Sequence, residues 1–272
     1  MFIIFGSPRS GTTLLSASLN QNDHIVVPDE TDFITPLSFL INTVKDEATG
    51  KRLIAEMIVS TERFKFSIGA YLSEREVYDI VKDAEYNIRS ILLGIYCYIA
   101  SKNNALIAGD KSPNDLMYLR NLVSAGLFKS DIKIVHIVRD VRDVILSIKN
   151  TGWDIESDIE FFFPRIWCDS NLYLQHVCCS EKMNYKLIKY EELICNPVEI
   201  FNELTDFLEA PFQYKMFDMN KRSERYANVR HHCNLKKDFM REHIALWKNS
   251  MDLDMVKLCE KQANEALEKF GY

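Results

Sequence analysis

The sequence predicts an α/β layered domain built on a central parallel sheet. Three observations carry this: five short apolar runs rich in β-branched residues, helical patterns between them, and unusual residues placed directly after the runs. The runs are Phe2 to Phe5, His24 to Val27, Ala105 to Ala108, Ile132 to Val138 and Tyr185 to Ile188. They are apolar on both faces rather than alternating, as strands buried between two layers of helices are. Strands separated by helices pair in parallel, and ligands of such sheets bind at the carboxyl ends of the strands.

Taken in order, the first strand is followed by Gly6-Ser7-Pro8-Arg9-Ser10-Gly11-Thr12-Thr13, after which Leu14, Leu15 and Leu19 recur in helical phase. Ser73-x-x-Glu76 has the form of a capping box. Beyond it Ile88, Ile91, Leu92, Ile95 and Ile99 mark a long buried helix. Near the end, Asp254 is placed to cap a helix whose stripe is Leu258, Cys259, Ala263, Ala266 and Leu267. No repeat, low-complexity tract or flexible linker interrupts the chain, so residues 1–272 read as a single domain.

Composition narrows the function. With 33 Lys and Arg against 39 Asp and Glu the net charge is −6, which argues against bulk capture of nucleic acid or anionic lipid. The seven cysteines show no C-x-x-C and no zinc-ligand spacing; reduced thiols in a cytoplasmic protein are the expectation. Only four apolar residues follow Met1 before Gly6, too few for a signal segment, and no 18-residue apolar run follows, so no membrane span is expected.

A strand, a glycine-bounded loop and a helix form the layout of a phosphate cradle, in which backbone N–H groups and the helix start converge on an anion. Gly6 and Gly11 have P-loop separation, yet Thr12-Thr13 stand where a nucleoside triphosphatase carries Lys-Ser or Lys-Thr. The cation lies inside the loop instead, at Arg9. A P-loop kinase or NTPase is the alternative reading, favoured only by Asp110 at a strand end, where a Walker-B acid would stand. A nucleotide binder without catalysis is a third; Glu30 and Lys111 argue against it, since binding needs neither.

The loop resembles the 5′-phosphosulfate-binding loop of sulfotransferases that use 3′-phosphoadenosine 5′-phosphosulfate (PAPS), in the PRSGTT form of tyrosylprotein and bacterial carbohydrate enzymes. A second stretch, Ile134-Val135-His136-Ile137-Val138-Arg139-Asp140-Val141-Arg142-Asp143-Val144-Ile145-Leu146-Ser147, resembles that family's 3′-phosphate signature. The resemblance implies a P-loop-type three-layer domain that transfers a sulfo group from PAPS to an acceptor hydroxyl of a carbohydrate, phenol or tyrosine, with no metal required. It implies cofactor contacts from Pro8, Arg9, Ser10, Gly11, Thr12 and Thr13, with Arg139 and Ser147 on the 3′-phosphate. Lys111, in Gly109-Asp110-Lys111-Ser112-Pro113, resembles the lysine that contacts the transferring group.

The base is read from two sides. An acceptor hydroxyl needs a proton acceptor near the sulfo group, and Glu30 follows the second strand; the resemblance points to the same residue. A solvated loop carboxylate would look the same in sequence, and Asp29 is the alternative. Tyr190, in Tyr190-Glu191-Glu192-Leu193, resembles a tyrosine that approaches the nucleotide, and a half-buried core aromatic fits equally. Lys237, or Lys236 beside it, falls where the family's C-terminal loop closes on the phosphates. Trp167 and Trp247 match family positions and are read as packing residues, and His136 as a core residue inside a strand.

Overall fold

The computed structural model describes residues 1–151, 159–218, 239 and 241–272. Its centre is a five-stranded sheet of order β2-β3-β1-β4-β5, formed by β1 (Phe2–Phe5), β2 (Ile25–Val26), β3 (Ile107–Lys111), β4 (Lys133–Val138) and β5 (Tyr185–Lys189). Every pair is parallel, with Phe2 opposite Gly109 on one side and Lys133 on the other.

Residue alternation in the strands builds the layers. Ile3, Phe5 and Ile134 point into a core shared with α2 (Ile34–Thr43), α3 (Glu47–Ser60), α4 (Glu74–Asp83), α5 (Ile88–Lys102) and α6 (Leu119–Ser124). Phe2, Ile4, Val135 and Ile137 point the other way, against α1 (Thr12–Leu19), α9 (Tyr190–Cys195) and α10 (Pro197–Leu208). A third cluster packs α7 (Val141–Lys149), α8 (Ile159–Ser180) and the C-terminal helix Leu253–Phe270 beside the end of β4. Each fully buried Phe, Ile or Leu contributes about 1.5–3 kcal/mol, so apolar strands covered on both faces supply most of the drive for this arrangement. Among the described residues no helix is long and apolar enough to cross a membrane.

The expected three-layer α/β architecture is present, with informative differences in detail. The third strand does not stop at Ala108; it continues through Gly109, Asp110 and Lys111, paired with β1 as far as Ile4 opposite Lys111. Its last residues are polar yet fully sheltered, because each finds a partner on the loop after β2. The second strand is only Ile25–Val26, His24 instead lending its carbonyl to Leu106 and Ile107 N–H at 2.9 and 3.2 Å. Asp252, not Asp254, occupies the N-cap position of the last helix, without a side-chain cap hydrogen bond; Asp254 stands in the first turn, where a carboxylate complements the helix dipole.

The capping box at α4 is formed as expected: Glu76 N–H donates to Ser73 Oγ at 3.3 Å and Ser73 N–H to Glu76 Oε2 at 2.7 Å. Topology locates the site. The chain leaves β1 toward the β2 edge and leaves β3 toward β4, so connections from two neighbouring strands run in opposite directions and open a crevice between their carboxyl ends.

Candidate functional site

The loop from Gly6 to Thr13 fills that crevice. Ser10 N–H closes a turn on the Ser7 carbonyl at 3.1 Å, Arg9 sits at φ 68° and Gly11 at φ 94°. Left-handed residues alternating with ordinary ones turn successive N–H groups to the same side, which makes an anion-binding nest, and α1 adds its own N-terminus at Thr12. The two glycines are demanded by space as well as angle. A Cβ on Gly6 would stand 2.6 Å from Ile137 Cγ2, and one on Gly11 2.5 Å from Tyr190 Cδ2. Ser10 is fully buried and its Oγ has no hydrogen-bond partner among the described residues, as a hydroxyl reserved for a ligand oxygen would.

The two sequence motifs meet here. Arg9 Nε donates to Ser147 Oγ at 3.0 Å across 138 residues. Arg139, at the end of β4, donates from Nη1 to the Arg9 carbonyl (3.0 Å) and from Nη2 to the His243 carbonyl (2.9 Å). Its guanidinium lies 4.5 Å from the Tyr190 ring centroid, while its buried Nε has no partner among the described residues. Tyr190 is therefore both a core aromatic and a wall of the crevice, packed on Gly11 and stacked on Arg139; burial raises its phenol above the ordinary range.

The repeated Arg-Asp of the second motif separates into two jobs. Arg142 pairs with Asp140 at 2.7 Å and Glu260 at 2.9 Å and lies 3.7 Å over the Trp247 ring. Asp140 caps α7, and Asp143 accepts from Ala245 N–H and Trp247 N–H. These three residues brace the C-terminal segment, while Arg139 turns to the loop and also holds the His243 carbonyl. Trp167 packs in the core against Phe270, and Trp247 packs on Arg142.

On the β3 side Lys111, 2% exposed, donates to Glu30 Oε1 at 2.7 Å and to Thr13 Oγ1 at 3.4 Å. Glu30 Oε2 is met at 2.6 Å by Arg63, whose Nε also pairs with Asp32 at 3.0 Å. Burial would raise Glu30, but Lys111 and Arg63 outweigh it and hold the carboxyl below its ordinary value. Between the two neighbouring acids, it is Glu30 that Lys111 takes. Asp110, the candidate Walker-B acid, faces away. It is fully buried and accepts hydroxyls from Thr31 (2.7 Å), Ser112 (2.7 Å) and Tyr96, so it is not presented to the loop.

His136 is an enclosed core histidine, its ring nitrogens 2.8 Å from Tyr185 Oη and Asn171 Oδ1; burial brings its pKa down to about 4. Pro8, Ser10 and Gly11 stand in the loop, and Thr12 and Thr13 in the first turn of α1. Lys236 and Lys237 lie outside the described residues. Arg63 was not foreseen. It follows α3 in Thr61-Glu62-Arg63-Phe64, a stretch with no motif, and only its ion pairs reveal it.

Comparison with known proteins gives the family and the fold. The Sulfotransferase family model matches residues 2–214, and the chain belongs to that family. Its fold is also that of a sulfotransferase domain from the Curacin biosynthetic pathway (18% identity, TM-score 0.61, 100% of this chain and 97% of that one). A sulfotransferase domain from the Synechococcus PCC 7002 olefin synthase is similar too (22% identity, TM-score 0.61, 100% and 94%). No curated protein matches the sequence.

Proposed function

We propose that this protein moves a sulfo group from PAPS to an acceptor hydroxyl, of the carbohydrate, phenol or tyrosine type, in the cytoplasm, with Glu30 as the base. The observation that carries the reading is the 2.7 Å pair of Glu30 and Lys111 at the mouth of an anion nest. PAPS, when bound, supplies an activated sulfo group on a phosphate that leaves with added negative charge. The chain fits such a group: the Ser10 hydroxyl and Arg139 Nε are buried polar groups without a partner among the described residues, and the loop supplies backbone N–H groups from Arg9 and from Gly11 to Thr13, Pro8 having none and Ser10 N–H closing the turn on Ser7.

The residues then divide the work. Arg9, Lys111 and the loop N–H groups balance the charge of the leaving phosphate, a preorganised electrostatic role. Arg139 and Ser147 hold the 3′-phosphate and so discriminate against ATP, and Tyr190 forms the wall beside them. Lys237 is assigned to the same phosphates. Side-chain cations supply the positive charge, and no metal ion is assigned a part. Glu30, ionised at neutral pH because two cations flank it, takes the acceptor proton. Lys111 holds Oε1, so the hydroxyl meets Oε2 on the side of Arg63.

Glu30→Gln tests this directly, because it keeps shape and removes the basic oxygen. Turnover with labelled PAPS and a panel of hydroxyl acceptors should fall by roughly 10²–10⁴-fold. Affinity for 3′-phosphoadenosine 5′-phosphate (PAP) should stay within about threefold, less than the ~1.4 kcal/mol of a tenfold change. Undiminished turnover, with Asp29→Asn measured beside it, would remove Glu30 as the base.

A further inference from the structure

Glu30 stands on residues 27–33, a stretch without helix or strand, yet its carboxylate is held on the end of β3. Two adjacent residues of β3 grip two adjacent residues of that stretch. Lys111 takes Glu30 at 2.7 Å, and Asp110, pointing to the opposite face of the strand, accepts the Thr31 hydroxyl at 2.7 Å. Asp110 is anchored in turn by Ser112 and by Tyr96 from α5. Tyr96 reaches the stretch a second time, its ring stacked on Phe33 at 6.5 Å and 11°. Thr31 is 2% exposed, and Asp110 and Tyr96 are fully buried.

Resting on the reading of Glu30 as base, we infer that the Thr31–Asp110–Tyr96 hydroxyl–carboxylate network is a positioning device that sets Glu30 against Lys111. It acts through the backbone between residues 30 and 31. A loop held only by the exposed Arg63 pair would sample several positions, since each residue left unfixed keeps considerable backbone freedom. A displacement of about 1 Å at a reacting group can cost on the order of 100-fold in rate. The arrangement has a division of labour that packing alone does not need: the ion pair faces the crevice and the hydroxyl–carboxylate contact is buried behind it.

Thr31→Val tests the device, since it removes the donor and keeps the branched shape, while Asp110 retains two hydroxyls. Turnover should fall by roughly 10–100-fold, PAP affinity by calorimetry should stay within about threefold, and Thr31→Ser should recover most of the rate. The pH profile separates positioning from packing. Glu30 faces Lys111 from β3 and Arg63 from the segment after α3, with Asp32 on its own loop and Asp29 close to Arg63. A carboxylate drawn away from Lys111 regains protons more easily, so the acid limb of turnover should move to higher pH in Thr31→Val and return in Thr31→Ser. Tyr96→Phe, one donor fewer on Asp110, should shift the limb in the same direction by less, and serves if the valine variant does not fold. Wild-type turnover and an unmoved limb in the folded variants would overturn the inference. Glu30→Gln in parallel keeps the two ideas apart. An inactive Gln variant beside an unaffected Val variant removes the positioning role alone, whereas an active Gln variant removes the base assignment on which it rests.

Discussion

Arg139 is bonded to two backbone carbonyls and a tyrosine face in this structure. Those contacts hold a planar guanidinium in one orientation, which is what bidentate recognition of a phosphate needs. If Arg139 reads the 3′-phosphate, Arg139→Ala should weaken PAP by about 2–5 kcal/mol while adenosine 5′-phosphate, which lacks that phosphate, loses little. Calorimetry with both nucleotides decides it; equal losses would make Arg139 a scaffold residue for the Arg9 carbonyl. Residue-scale chemistry was only partly visible in the sequence. Arg139 and Arg142 stand in the same Arg-Asp pattern; the place directly after the strand singles out Arg139, while nothing local shows that Arg142 is buried under Trp247.

At the scale of elements, the strand–loop–helix unit from Phe2 to Leu19 was readable because its determinants are local. Four apolar residues need two covered faces, two glycines allow a tight return, and leucines in helical phase follow. Gly11→Ala tests the unit. It combines φ 94° with a Cβ 2.5 Å from Tyr190, so strain and displacement of the ring add together. A non-glycine residue forced to left-handed backbone costs on the order of 1–2 kcal/mol, and the moved ring disturbs Arg139. The melting temperature and PAP affinity should therefore fall together. A variant that loses stability but binds PAP as before would place Tyr190 outside the nucleotide site. The end of β3 was misjudged for an equally physical reason. Gly109-Asp110-Lys111 has no apolar signal, because its burial is stabilised by one hydroxyl and one carboxylate from residues about 80 positions away, Thr31 and Glu30.

The whole molecule carries a buried acid that the crevice does not use. Asp115, just past β3, accepts from Thr35 at 2.5 Å; burial, and then the neighbouring Asp110, bring its pKa up to about 8. An acid with a raised folded pKa keeps its proton in the native state after the unfolded chain has released it. Its contribution to stability is complete below about pH 4, where the unfolded carboxyl is also protonated. That contribution is lost progressively as pH rises to about 8. Asp115→Asn mimics the protonated form, so its melting temperature relative to the parent should climb between pH 5 and about pH 8 and level off above. A constant offset across that range would mean Asp115 ionises normally. The comparison of two proteins at each pH cancels groups that both share, such as His136, whose lowered pKa contributes stability that is lost in the opposite direction, as pH falls from about 6.5 toward about 4.

The sequence by itself determined the layered α/β class, the loop at the end of β1, the capping box of α4 and the two motifs that meet at that loop. Each of these is written in neighbouring residues: an apolar run, a glycine spacing, a serine three before a glutamate. Only the tertiary structure decided which of these residues touch one another. Lys111 and Glu30 could each be singled out, but not their ion pair, because ion pairs form between whichever charges the sheet order brings together. The order β2-β3-β1-β4-β5 sets β3 beside β1, lays the loop after β2 across the end of β3, and so delivers Glu30 to Lys111. It also brings in Arg63, which has no signature of its own. Local sequence dictates backbone shape within a turn or a helix. Long-range electrostatics depend on distances that exist only once the apolar strands have packed.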